Sequence, residues 1–153
     1  MLETWKERRE LLLKFCEKLQ SQFTEENYNI FVFGSYVRND FRPGDSDIDL
    51  VVYCPDDEKR EKLAQFARDY FQNYGLDSDV LPYYFSPNAT IFYPAILNGI
   101  KLTDYYPLQL QKELYLLRKH YDAECKRKKA KEKYLWWDYI LMKAGVVKER
   151  GKS

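Results

Sequence analysis

Asp47 and Asp49 stand two residues apart where an apolar run, Ile48-Asp49-Leu50-Val51-Val52, begins. On a strand that spacing sends both carboxylates from one face, about 6–7 Å apart along the backbone. Like charges crowded at the edge of a core repel and lose hydration. A divalent cation would offset that cost. Mg²⁺ takes one or two carboxylates and completes its shell with water and substrate phosphates. In two-metal sites, ions about 3.5–4 Å apart clamp the attacking and leaving oxygens of a displacement. A third acid from a neighbouring strand would complete such a site. Asp77 and Asp79 are both available on one face of the next β-prone run.

Upstream, Gly34-Ser35 follows the run Asn29-Ile30-Phe31-Val32-Phe33. A glycine directly after a strand lets the backbone approach a phosphate, and a helical turn starting there presents free N–H groups to an anion. The Ser35 hydroxyl adds a donor, and Arg38, one turn on, matches phosphate geometry. A calcium loop is the main rival, because Asp45-Ser46-Asp47-Ile48-Asp49 imitates its opening. Leu50, however, stands where that loop requires glycine, and Asp56 where it requires a bidentate glutamate. A lone Asp is commonly a turn cap. The glycine-serine turn and the second Asp-bearing strand make this set read as a site instead. Asp45 belongs to the Arg42-Pro43-Gly44 turn and is not expected to be a ligand.

The surrounding periodicity predicts the elements that hold these groups. Residues 3–22 form an amphipathic helix with Trp5, Leu12, Phe15, Cys16, Leu19 and Phe23 on its apolar face and Lys and Glu opposite. From Asp47 the chain alternates, with Ile48, Leu50 and Val52 on one side and Asp47, Asp49 and Val51 on the other. A second helix opens at an Asp cap after Pro55, carries Leu63, Phe66, Ala67, Tyr70, Phe71 and Tyr74, and closes at Gly75. A third strand runs from Asp77 to Leu81. Residues 83–95 are expected to be loop, and 99–102 an edge strand. Helical spacing returns at 108–125, and a further helix is expected around Tyr134-Leu135-Trp136-Trp137, ending at Gly145, with a frayed tail from Lys148.

Strands alternating with helices, then helices, imply an α/β (α+β) fold: a small mixed sheet with helices mainly on one face, plus C-terminal helices. A catalytic domain over 1–107 and a helical extension over 108–153, packed on it, are expected. The 25 Lys+Arg and 24 Asp+Glu nearly cancel, so bulk charge argues for neither nucleic acid nor membrane. Three scattered cysteines make neither a disulfide framework nor a zinc spacing. No apolar run approaches the ~20 residues of a membrane span. The charged start is no signal peptide, so a cytoplasmic protein is expected. His120, the single histidine, is expected at the surface, because this chemistry needs none.

Gly34-Ser35, eleven residues, then Asp47-Ile48-Asp49-Leu50 resembles the signature of the DNA polymerase beta-type nucleotidyltransferases, and within them the minimal nucleotidyltransferases. One residue more than the usual spacing falls in the Pro43-Gly44-Asp45 turn, where a loop tolerates it. The resemblance covers residues 28–104. It implies a two-Mg²⁺ site that transfers a nucleoside monophosphate, AMP from ATP, to an acceptor hydroxyl and releases pyrophosphate. By position, Gly34, Ser35 and Arg38 would hold the triphosphate. Asp47 and Asp49 would ligate both metals. Asp79, preferred to Asp77 because the apolar Val80-Leu81 follows it, would be the third carboxylate. Many small members pair with a HEPN-type toxin, which some AMPylate as its antitoxin.

The C-terminal third lies outside the resemblance. Six of the eight residues 126–133 are basic, followed by Tyr134, Trp136 and Trp137. Such a segment suits single-stranded nucleic acid or a protein interface, or is a solvated helix face. The alternative to catalysis is a protein- or RNA-binding module with a vestigial nucleotide site.

Overall fold

The computed structural model describes residues 2–143, with side chains to residue 129. Helix α1 (Trp5–Gln22) starts at a capping box. Thr4 Oγ1 accepts the Glu7 N–H at 3.2 Å, and the Glu7 carboxylate accepts the Thr4 N–H at 3.3 Å. Its buried face is Arg8, Leu11, Leu12, Phe15 and Leu19. Trp5, expected in that stripe, is 40% exposed. The stripe position one turn further on is filled instead by Arg8, whose guanidinium lies 5.9 Å from the Trp5 ring.

Four strands follow the expected pattern: β1 (Asn29–Phe33), β2 (Ile48–Tyr53), β3 (Ser78–Pro82) and β4 (Ile100–Lys101). They form one mixed sheet in the order β3-β2-β1-β4. β1 is antiparallel to both β2 and β4, whereas β2 and β3 are parallel. A parallel pair needs a crossover, and α2 (Asp57–Gln72) supplies it. Asp56 caps α2, its side chain accepting the Glu58 and Lys59 N–H groups at 3.0 and 3.2 Å. Gly75 (φ 69°) ends it. The Leu76 N–H reaches the Phe71 carbonyl and the Gly75 N–H reaches the Gln72 carbonyl, the Schellman pattern that a left-handed residue permits.

Strand alternation divides the interior in two. Ile30, Val32, Ile48, Leu50, Val52 and Val80 pack with α1 and α2 in the larger cluster. Phe31, Val51 and Tyr53 pack on the opposite face, under α3 (Phe92–Leu97) and Leu110, Leu114 and Leu117 of α4 (Leu108–Lys143). The mixed sheet with α1 and α2 on one face is thus as expected, and the second face is covered as well. Leu50, Val51 and Val52 are all fully buried, and full burial contributes about 1.5–3 kcal/mol for each such side chain.

Two expectations are corrected. Residues 92–97, placed within or just beyond a loop, are helical, because Pro94 falls in the first turn, where no N–H is needed. Two C-terminal helices were expected, but one helix of 36 residues runs through the basic segment, since Lys and Arg are good helix formers. Gly145 and the tail from Lys148 lie outside the described residues. Among the described residues no helix is long and apolar enough to cross a membrane, and Cys16, Cys54 and Cys125 are free thiols.

Candidate active site

The acids meet at the end of the sheet where β2 and β3 begin. Asp49 lies opposite Phe33 on β1 and in register with Asp79 on β3. Residues in register on parallel neighbours share a face, so Asp49 and Asp79 project together. Asp47 precedes the first residue of β2 and is solvent-exposed, as is Asp79, while Asp49 is half-buried. Partial burial pushes the Asp49 carboxyl above its ordinary value, and repulsion from Asp79 and then Asp47 adds to the rise, with Arg38 opposing it. Asp77 is exposed as well. Its carbonyl accepts the Ile48 N–H at 3.0 Å, locking β3 beside β2.

A 3-10 turn, Gly34–Val37, leaves the end of β1 directly over these acids. Gly34 has φ 75° and touches the Asp49 side chain so closely that an added Cβ would stand 3.2 Å from Asp49 Cγ and overlap Oδ2. Both the left-handed backbone and the approach require glycine. Ser35, the second residue of the turn, is half-buried. Arg38 follows the turn, its own N–H closing it onto the Ser35 carbonyl at 3.0 Å. Its guanidinium forks onto Asp40, Nε to Oδ1 at 3.1 Å and Nη2 to Oδ2 at 3.2 Å, and both side chains are exposed. A cleft of about 400 Å³ opens beside the turn. Gly34, Val37 and Arg38 line one side, and Ile91, Pro94 and Asn98 the other.

The structure therefore brings Gly34, Ser35, Asp47, Asp49 and Asp79 to one corner, with Arg38 at its rim. Among the described residues no three His, Cys, Asp or Glu side chains close on one point at metal-ligand distance. A hard cation that keeps waters and takes phosphate oxygens needs only one or two carboxylates. The repulsion at Asp49, which Arg38 offsets only in part, is the condition such a cation relieves. Two features were missed by sequence reasoning. The α3 side of the cleft was read as loop. Arg8 was not singled out, although the spacing 5, 8, 12, 15, 19 puts it inside the apolar stripe.

The basic segment of α4 is exposed at Lys126, Arg127, Lys128 and Lys129. The aromatic residues expected to join it, Tyr134, Trp136 and Trp137, have side chains outside the described residues. His120 is exposed, as expected.

Several solved structures match this chain. A chain of the tri-AMPylated Shewanella oneidensis HEPN toxin in complex with MNT antitoxin is 20% identical, with a TM-score of 0.43 over 87% of this chain and 98% of that one. A chain of a mutant MntA–HpeT toxin–antitoxin complex is 19% identical, with a TM-score of 0.46 over 84% and 98%. A toxin–antitoxin structure with AMP-PNP contains a chain 21% identical, with a TM-score of 0.41 over 81% and 94%. No curated protein matches the sequence. The nucleotidyltransferase domain model matches residues 8–102, which span α1, all four strands and both sides of the acidic corner. The chain is a member of the nucleotidyltransferase domain family.

Proposed function

We infer that the chain is a Mg²⁺-dependent enzyme that transfers AMP from ATP to a hydroxyl of a HEPN-type partner protein, as an antitoxin in the cytoplasm. The observation that carries the catalytic part is the corner itself: Asp49, in register with Asp79 and two residues after Asp47, lies beneath the left-handed Gly34. Asp47 and Asp49 would hold both ions, and Asp79 the one nearer the acceptor. When bound, Mg²⁺ neutralises triphosphate charge and polarises the acceptor oxygen. The chain's own residues orient the reactants. Backbone N–H groups at Gly34 and Ser35, with the Ser35 hydroxyl, meet phosphate oxygens. Arg38 adds positive charge at the rim. The acceptor oxygen bonds to the α-phosphorus as the bond to the bridging oxygen of pyrophosphate breaks, and Asp79 takes the hydroxyl proton. Pyrophosphate leaves with its electron pair.

The partner part rests on the resemblance to minimal nucleotidyltransferases. It is also supported by exposed apolar side chains around the second face, among them Tyr84, Ile91, Leu97 and Leu108. The test is radiolabelled ATP with Mg²⁺ and a HEPN-type protein encoded beside this chain. Label on the partner, lost with Asp47→Asn, is the expected result. An intact chain that neither binds nor consumes ATP overturns the catalytic reading. Consumption of ATP without label on the partner overturns the acceptor alone.

A further inference from the structure

Arg8 is a cation in the interior that makes no salt bridge among the described residues. It is 4% exposed, and such burial is costly unless every donor is satisfied. Backbone carbonyls do the satisfying. Nε donates to the Tyr36 carbonyl at 2.9 Å, Nη2 to Arg38 at 3.2 Å, and Nη1 to Leu2 at 3.0 Å and Glu3 at 3.4 Å. The Phe41 ring covers the guanidinium at 5.0 Å. In return, the Tyr36 hydroxyl donates to the Arg8 carbonyl at 2.7 Å. Tyr36 is fully buried.

Two of those acceptors belong to the segment bearing Gly34, Ser35 and Arg38. The tie is reciprocal, side chain to backbone in both directions across 28 residues. A core that needed only apolar filling would place Leu or Met at this stripe position, which avoids ion desolvation altogether. The planar fork does what those residues cannot, fixing two carbonyls of one short turn relative to α1. The far side of that turn is the Gly34 backbone against Asp49.

We propose that Arg8 is a positioning residue for nucleotide binding: it sets the Gly34–Val37 turn at the distance from Asp49 that a metal-bound triphosphate requires. This rests on the nucleotide reading above. The test measures the dissociation constant of ATP with Mg²⁺ by calorimetry, alongside melting temperature. The variants are Arg8→Lys, Arg8→Met, Tyr36→Phe and, as a core control in the same cluster, Leu63→Ala. Misplacing a binding element by a fraction of an ångström should weaken ATP about tenfold in Arg8→Lys and more in Arg8→Met. Tyr36→Phe, which loses one hydrogen bond and no volume in the core, should weaken it about threefold. Leu63→Ala should lower the melting temperature and leave ATP affinity unchanged. Affinity within twofold of the parent in Arg8→Lys, or an equal loss in Leu63→Ala, overturns the proposal. Should the Arg8 variants fail to fold, unchanged affinity in Tyr36→Phe overturns it alone. A parent chain that binds no ATP overturns the nucleotide reading itself.

Discussion

Strand β2 serves two regions of different character with alternate residues. Ile48, Leu50 and Val52 enter the cluster under α1 and α2, which is apolar along the whole strand. Asp49, Val51 and Tyr53 face the other way, and there the apolar character stops short at Asp49. One face is closed mainly by hydrophobic burial. The other ends in three acids, where burial and the charges of Asp79 and Asp47 raise the Asp49 carboxyl and Arg38 opposes the rise only in part. A strand period of two lets one segment stabilise the fold and carry the chemistry without either set of side chains intruding on the other.

Substitutions on the two faces should therefore separate activity from stability. The largest effect is expected for Asp47→Asn or Asp49→Asn, with nucleotidyl transfer falling about a thousandfold or more as metal charge stabilisation is lost. Circular dichroism should show an unchanged fold. Leu50→Ala, one residue from Asp49, should do the opposite. It should cost about 2–5 kcal/mol in urea unfolding, while the protein that remains folded turns over normally. A Leu50 variant losing activity in proportion to nothing but its chemistry would break the division.

Gly34→Ala tests the place where the faces join. A methyl group there meets the Asp49 carboxylate and a left-handed backbone, the latter costing about 1–2 kcal/mol by itself. Both stability and transfer should fall. Arg38→Ala removes exposed charge at the rim and should weaken ATP binding about tenfold, leaving the melting temperature where it was. A fall in melting temperature would mean that Arg38 belongs to the fold.

The smallest effect is one of pH. Below pH 3.8, the ordinary carboxyl value, Asp49 is neutral in folded and unfolded chains alike, and Asp49→Asn should melt with the parent. As pH rises through the raised native value, the folded parent gives up a proton that its half-buried, repelling surroundings favour. The unfolded chain has already lost that proton, so parent stability falls relative to the variant. The gap in melting temperature should open in that window and hold to neutral pH. Added Mg²⁺ should narrow it by stabilising the parent alone.

Local sequence carried the strands, the caps and the acids, because period-two alternation and Asp or Gly at element ends are read within a few residues. Asp47 and Asp49 were legible as a pair for the same reason, whereas the β2–β3 register that sets Asp79 rather than Asp77 beside Asp49 is non-local. Arg8 was not read, because its acceptors at Tyr36 and Arg38 lie 28 and 30 residues away. Its place in the 5, 8, 12, 15, 19 stripe was the available signal. The continuity of α4 was obscured by a charge run that looks like a break and is helix-forming. The helical turn from Phe92 was hidden by Pro94, which punctuates a helix interior but suits a helix start.

The parallel pairing of β2 with β3 has a kinetic consequence. Antiparallel β1 and β2 are joined through residues 34–47, the shorter connection, whereas Asp49 meets Asp79 only after the longer crossover through α2 has closed. Non-local closure is the slower kind of event. The carboxylates that face each other in the finished molecule oppose that approach. A chain that has folded no further than β1 and β2 holds Asp47 and Asp49 together, without Asp79 beside them. The acidic corner is complete only when α2 has carried β3 home.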